Sequence, residues 1–396
     1  MLRETFSSLK HKNYRLFFIG QFFSLVGLWT QNVGQQWLVW DLTHSPFWVG
    51  VAGFLSTIPI LFLSIFGGAI ADRFSKLKLN FIIQFISMIQ SLALWYLVYS
   101  GNAEFKFVAI LIFTLGIINA FEIPIRQSFT IEMVGKDDLQ NAIGLNSTVF
   151  NLARIIGPMV AGLVILYFGV EWCFFINSIS FFSILITLLL MDKSKLNRID
   201  NEKQNIKESI LSATNYLKNN YPVLKILISV GIVTIFGWSY SVILPALSDE
   251  VFHQGAKGLS ALYSANGFGA LISAIFIAST AKKLAPEKIM IYSFWLFSLS
   301  AILLSISTNF TLSLVAIFVM GMGVIGFFVS ANSNFQKHIP HNLRGRLLGF
   351  YVLIFQGLHP FGNLFIGSLS KIFNVQTALL FSIVICSLLF YRFQKD

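Results

Sequence analysis

Twelve stretches of this chain are apolar for long enough to cross a bilayer, and that recurrence leaves few folds open. A helix traversing ~30 Å of hydrocarbon needs about 20 largely apolar residues. Spans are expected at 14–42, 47–71, 79–100, 107–134, 142–168 and 172–191, then at 223–247, 259–281, 289–307, 312–336, 347–373 and 375–393. Lipid offers backbone groups no hydrogen bonds, so each span must satisfy its own as a helix. Apolar residues make up 56% of the chain and charged residues 11%, a balance that a soluble domain of this size has no core large enough to bury. The expected fold is all-α and integral to the membrane: twelve transmembrane helices in two six-helix bundles. The bundles are residues 1–191 and 223–396, joined by a polar linker, 192–222.

The two halves repeat. Superposing Gly144 on Gly349 also pairs Phe150 with Phe355, Gly157 with Gly362, Gly162 with Gly367 and Phe168 with Phe373. Duplicated halves are characteristic of secondary transporters, with the substrate site near the midplane. Pseudo-symmetric bundles follow.

A net charge of +11 would suit nucleic acid, but its distribution argues for a different partner, the bilayer. If the N-terminus is cytoplasmic, only Lys106, Lys257 and Lys371 of the 28 Lys and Arg fall on the outer side, and only Arg126 and Arg154 lie inside spans. That asymmetry orients both termini and the linker to the cytoplasm. Trp37, Trp40, Trp48, Trp95 and Trp172 are then expected as an outer aromatic belt. Arg3, Lys10 and Lys12 resemble a basic leader, but the apolar run behind them is too long for a signal sequence and ends in no small-residue cleavage site. Leu2, Phe6 and Leu9 are expected on one face of a short surface helix. Cys173 and Cys386 fall in apolar segments and read as small core residues.

Charges inside the spans carry the most chemistry. Arg154 in helix five is deep enough to cost at least ~2.5 kcal/mol without a partner or a wet cavity. Glu122 in helix four is equally far from the inner end of its span, and Arg126 stands one turn along from it. A triad of Glu122, Arg126 and Arg154 is expected, either as a structural ion-pair network or as the proton-coupling site. His359 takes the place of Arg154 in the second half and is a second titratable candidate or a packing histidine. Asp41 and Asp249 at outer helix ends read as interfacial acids. On helix one Ser24, Gln31, Asn32 and Gln35 share a face, as helix–helix hydrogen-bonding groups or as the lining of a polar cavity. Trp238, Tyr240, Asn332 and Asn334 are candidates to face them.

Between the second and third spans stands Gly68-Ala69-Ile70-Ala71-Asp72-Arg73-Phe74-Ser75-Lys76-Leu77-Lys78. Basic residues are ordinary in an inner loop, which accounts for Lys76 and Lys78. Gly68 and Asp72 one turn apart are not ordinary: a glycine permits close helix approach, and a carboxylate there can face a helix N-terminus. The segment resembles the loop between helices two and three of the major facilitator superfamily, Gly-x-Leu-Ala-Asp-Arg-x-Gly-Arg-Lys, with Ser75 and Leu77 as departures. The resemblance implies that Gly68, Asp72, Arg73, Lys76 and Lys78 form a conformational latch, with Asp72 engaging the start of helix eleven near Arg344. Ala153-Arg154-Ile155-Ile156-Gly157-Pro158-Met159-Val160-Ala161-Gly162 is similar to the Gly-x-x-x-Gly-Pro-x-x-Gly-Gly motif of exporters in that superfamily. Its Ala153, Gly157, Pro158 and Gly162 also suit a plain bend and tight packing. The resemblance further implies that helices one, four, seven and ten line the central path, placing Gln31, Asn32, Gln35, Trp238 and Tyr240 as cavity candidates.

Phe121-Glu122-Ile123-Pro124-Ile125-Arg126-Gln127-Ser128-Phe129, Asn141-Ala142-Ile143-Gly144-Leu145-Asn146-Ser147 and Leu343-Arg344-Gly345-Arg346 extend the resemblance to the bacterial branch of macrolide-type drug and enterobactin exporters. The function this implies is export of a small amphiphile, drug or siderophore, by alternating access in antiport with protons, from a monomer in a bacterial inner membrane. No phosphate loop, metal cluster or nucleophile triad occurs in the sequence, so neither an enzyme nor a cofactor is expected, and an ion gradient is the natural energy source. An importer of small metabolites, a lysophospholipid carrier and a non-transporting sensor are the competing readings.

Overall fold

A computed structural model describes residues 7–197, 214–280, 284–340 and 343–395. Among these the chain is helical, with twelve helices long and apolar enough to cross a membrane. The first six are α1 (Lys12–Thr43), α2 (Pro46–Arg73), α3 (Lys76–Tyr99), α4 (Phe105–Val134), α5 (Leu139–Tyr167) and α6 (Glu171–Leu189). Then come α7 (Tyr221–Val251), α8 (Gly255–Thr280), α9 (Pro286–Ile306), α10 (Phe310–His338), α11 and α12 (Val375–Lys395). α11 is two helices, Arg344–Gly357 and His359–Ile372. Large apolar side chains on outer faces, such as Phe62, Phe66, Leu163 and Leu189, are exposed, as a protein solvated by acyl chains requires.

Turns are made where the sequence supplies a left-handed residue. Gly135 closes α4 at φ 73° and Gly169 follows α5 at φ 109°, conformations that cost glycine least. α1 and α7 end instead with His44 (φ 42°) and His253 (φ 53°).

Two helices are less regular than their hydropathy suggests. α7 runs as α-helix only to Ile232, then through a π turn (Val233–Gly237), a 3₁₀ stretch (Trp238–Ile243), Leu244–Ala246 and a second π turn (Leu247–Val251). α11 breaks at Leu358, immediately before His359-Pro360, where proline's missing N–H suits a helix start. Apolar length marks a span but carries no information on hydrogen-bond register, so neither break was expected.

The chain divides into two compact units. One comprises Met1–Thr43, Ile58–Asn201 and Leu259–Ser264; the other His44–Thr57, Glu202–Gly258 and Ala265–Asp396. In the first, Tyr14 and Phe17 of α1 pack with Phe129 and Met133 of α4 and with Phe181, Ile184 and Leu188 of α6. In the second, Phe294 of α9 stacks on Phe390 of α12, and Phe327 of α10 packs at an angle to both. Cys173 and Cys386 are free thiols with no exposed surface.

The repeated glycines behave in pairs. A methyl group at Gly144 or Gly349 would meet nothing within 4 Å, whereas one at Gly157, Gly362 or Gly162 would collide with a neighbouring helix and one at Gly367 would come within 3.1 Å of Gly50 Cα and Pro46 O. The duplication is therefore one of packing as well as of residue identity.

The N-terminus departs from expectation. Leu2 and Phe6 lie outside the described residues. Ser7–Lys10 forms a 3₁₀ turn docked on the start of α5: Ser8 N–H donates to Asn141 Oδ1 (3.0 Å) and Ser8 Oγ to Asp138 O (2.9 Å). Leu9 packs against the core formed by α1, α4 and α6. The aromatic belt is also corrected at Trp40, which is 1% exposed and so is a core residue rather than an interfacial anchor. Trp95 with Tyr99, and Trp172 with Phe175, do form a cluster at the ends of α3 and α6.

Candidate functional site

α4 is apolar over most of its length, so its charged pair has few partners to choose from. Glu122 Oε1 lies 2.7 Å from Arg126 Nε, with the Glu122 side chain 14% exposed and that of Arg126 27%. The pair sits astride Pro124, whose ring removes one backbone hydrogen bond from the helix at that point. Arg154 on α5 is 8% exposed, and its guanidinium lies 5.8 Å from the ring centre of Trp29 on α1. Two members of the expected triad thus pair directly, and the third is held against an indole.

The exporter-like segment of α5 is a packing seam. A Cβ on Gly157 would come within 2.3 Å of Trp29 Cβ and 3.0 Å of Val26 O, and Thr30 Oγ1 donates to Gly157 O at 3.1 Å. Gly162 faces Ser260 of α8 as closely. Ala153 is fully buried against Leu25 and Val149, and Pro158 is buried within a helix that runs on past it. The small residues let α1 and α8 approach α5, as membrane helices lacking a hydrophobic drive to associate require.

The polar face of α1 resolves into separate roles. Gln31 has no exposed surface: its Oε1 accepts from Asn177 Nδ2 (2.8 Å) and lies 2.6 Å from Ser91 Oγ, and its Nε2 is 3.5 Å from Gln90 Oε1. It ties α1 to α3 and α6 and does not line open space. Gln35 is 9% exposed with a buried Oε1 that meets no donor, and Asn32 is partly exposed. These two remain the cavity candidates on this helix. Gln36, which the face pattern passed over, accepts from Tyr263 Oη at 2.7 Å.

In the second unit Tyr240 is 3% exposed and its Oη accepts from Asn266 Nδ2 at 2.7 Å, so it too is a helix-tying group. Trp238 lies in the irregular part of α7, with Phe328, Phe355 and His359 at 4.9, 4.8 and 5.4 Å between ring centres. His359 opens the second half of α11. Its Nε2 is buried without a partner, and its Nδ1 is 3.5 Å from Asn363 Nδ2, whose amide oxygen is likewise unpaired. Asn332 accepts from Gln336 (2.6 Å) on α10 itself, and Asn334 is buried. Asp249 is the first acidic residue of the closing π turn of α7.

The loop residues divide differently from the sequence reading. Gly68 faces open space, and it is Gly67 whose methyl would strike Ala120 O (2.8 Å), Pro124 Cγ (2.9 Å) and Phe121 Cα (3.0 Å). Close approach of α2 to α4 depends on the first glycine of the pair. Lys76 is buried, with Nζ 2.7 Å from Glu132 Oε1 near the end of α4, while Arg73 and Lys78 are exposed. Arg344 donates to Gln336 Oε1 at 2.9 Å. The side chain of Asp72 lies outside the described residues.

A family model described as transmembrane secretion effector matches residues 3–394. The chain belongs to that family, within the major facilitator superfamily. Among its relatives, the staphyloferrin A transporter of Staphylococcus aureus is 26% identical over 362 residues, covering 91% of this chain and 90% of its own. The enterobactin exporter EntS of Salmonella choleraesuis is 25% identical over 349 residues, 86% of this chain and 81% of its own. Solved structures share the fold. The nucleoside transporter NupG gives a TM-score of 0.75 at 15% identity, covering 98% of both chains. A bacterial homologue of ferroportin, inward-facing, gives 0.71 at 13%, covering 97% of this chain and 99% of that one. The chain is thus a twelve-helix, multi-pass membrane transporter.

Proposed function

We propose that this transporter exports a small amphiphilic molecule, a siderophore before a drug, from the cytoplasm of a bacterium by alternating access in antiport with protons. It works as a monomer in the inner membrane with both termini cytoplasmic. The observation that carries the coupling is the Glu122–Arg126 pair, a carboxylate and guanidinium 2.7 Å apart inside an apolar helix. Protonation of Glu122 would release Arg126, and an ion pair that opens and closes with one proton is the minimum device an antiporter needs. Direction and substrate class are supported by relatives named as exporters or transporters of siderophores over most of their length.

The test is flux in proteoliposomes carrying an imposed pH gradient, with staphyloferrin A and enterobactin as trial substrates. Movement against the substrate gradient, driven by protons returning, is expected. Glu122→Gln should retain binding and abolish the response to the pH gradient; wild-type coupling in that variant removes Glu122 from the role. Asp72, Arg73, Lys78 and Arg344 belong to the proposal as the latch of one end state. Asp72→Asn should lower flux while leaving membrane insertion intact, and full flux would remove the latch.

A further inference from the structure

Each compact unit carries the same three-part arrangement of side chains. Val26, Trp29 and Thr30 on α1 have the spacing of Ile235, Trp238 and Ser239 on α7; Phe150, Arg154 and Gly157 on α5 have that of Phe355, His359 and Gly362 on α11. The contacts repeat as well. Gly157 crosses α1 against Val26 O and Thr30 N, and Gly362 crosses α7 against Ile235 O and Ser239 Oγ. At both crossings a tryptophan meets a phenylalanine, at 5.6 Å for Trp29–Phe150 and 4.8 Å for Trp238–Phe355. A basic group lies against the same indole: Arg154 at 5.8 Å and His359 at 5.4 Å.

Packing alone explains the glycines and the rings. It does not explain the polar atoms. Trp29 Nε1 is a buried donor with no acceptor, and His359 Nε2 is buried without a partner at the equivalent place. An orphaned buried polar group forfeits its hydrogen bonds to water with nothing in exchange, and a phenylalanine at position 29 would avoid that loss. Arg154 adds a fixed positive charge, since a guanidinium keeps its proton and presents only donors. One indole N–H and one guanidinium, flanked by flat apolar rings, match an acceptor-rich anion carried on a planar group.

We propose that Trp29, Phe150 and Arg154 form a recognition site for a planar organic anion, the charged part of the transported amphiphile. The inference depends on the export reading only in taking the cargo as the occupant. The site built by Trp238, Phe355 and His359 has the same frame with an imidazole for the guanidinium, and so lacks the permanent charge that would select an anion.

The test is equilibrium binding to the purified full-length protein by calorimetry, using 2-naphthoate and the isosteric, uncharged 2-naphthamide. Naphthoate should bind about tenfold more tightly. Arg154→Gln should bring the two affinities together, Arg154→Lys should keep a preference, and His359→Gln should leave it unchanged. Trp29→Phe, which removes the N–H and keeps a ring, should weaken naphthoate several-fold and stands in if Arg154→Gln does not fold. Equal affinities in the wild type overturn the proposal. So does a preference that survives Arg154→Gln, or naphthoate binding untouched by Trp29→Phe. No flux is measured, so a failure here leaves export standing, and a protein that selects the anion yet moves nothing refutes export alone.

Discussion

Two adjacent glycines illustrate how little of a contact is written in residue type. Gly67 is wedged against the backbone of α4, and Gly68 meets nothing. Backbone cannot yield as a flexible side chain does, so Gly67→Ala is expected to destabilise by roughly 1–3 kcal/mol and Gly68→Ala to be close to neutral. Melting temperatures of the two variants in detergent check this. Lys76 and Glu132 offer a second case, their side chains 9% and 16% exposed. Removing one partner strands the other charge, so Lys76→Met or Glu132→Leu alone should cost about 3 kcal/mol, and the double variant distinctly less than the sum. A double-mutant cycle on thermal stability measures the coupling. The sequence presented Lys76 as an inner-loop cation and, by resemblance, a latch residue; it gave no sign of the pair with Glu132, because that partner is 56 positions away. Gln31 stood out from the sequence as a polar residue in an apolar span, a candidate for cavity lining or for helix–helix hydrogen bonding, and the pattern along one helix could not tell a cavity from Ser91 and Asn177 on its neighbours.

Boundaries of the helices were legible because desolvation of backbone groups is the same at every residue. The spans expected at 14–42 and 107–134 are observed as Lys12–Thr43 and Phe105–Val134. Helix interiors were not, since α7 and α11 keep their hydropathy while losing α-helical register. The docked N-terminal turn is another feature set by tertiary contacts. Lys10 Nζ and His11 Nε2 both lie 2.8 Å from Asp138 Oδ2, and hydrogen bonds from Lys10 first, then His11 and Ser7, hold that carboxyl well below the usual carboxylate range. A depressed folded value means the clamp contributes fully above the unfolded carboxylate value of about 4, and fades as pH falls towards the folded one. Hydrogen exchange at Ser8–His11, corrected for intrinsic rates, should therefore stay slow from pH 8 to about pH 5 and quicken in stronger acid. Asp138→Asn should make it fast at neutral pH; slow exchange in that variant would mean the backbone bonds of Ser8 suffice.

For the whole molecule, membrane residence, twelve spans and duplication were all readable, because each is a statistical property of many residues. The repeat reaches beyond identity to which glycines are crowded. Orientation is a further expectation at this scale: a fluorescent-protein fusion at the C-terminus should fluoresce, and an alkaline phosphatase fusion there should be inactive. Active phosphatase would invert the topology and, with it, the meaning of export.

Both thiols in this protein are sealed from solvent, one beneath α5 and one beneath α7. Maleimide reagents should accordingly pass over them in the native state, so a single cysteine placed anywhere along a suspected pathway reports its own accessibility without any prior removal of Cys173 or Cys386. Tracking which positions react as the gradient is switched on and off needs nothing more than the wild-type background.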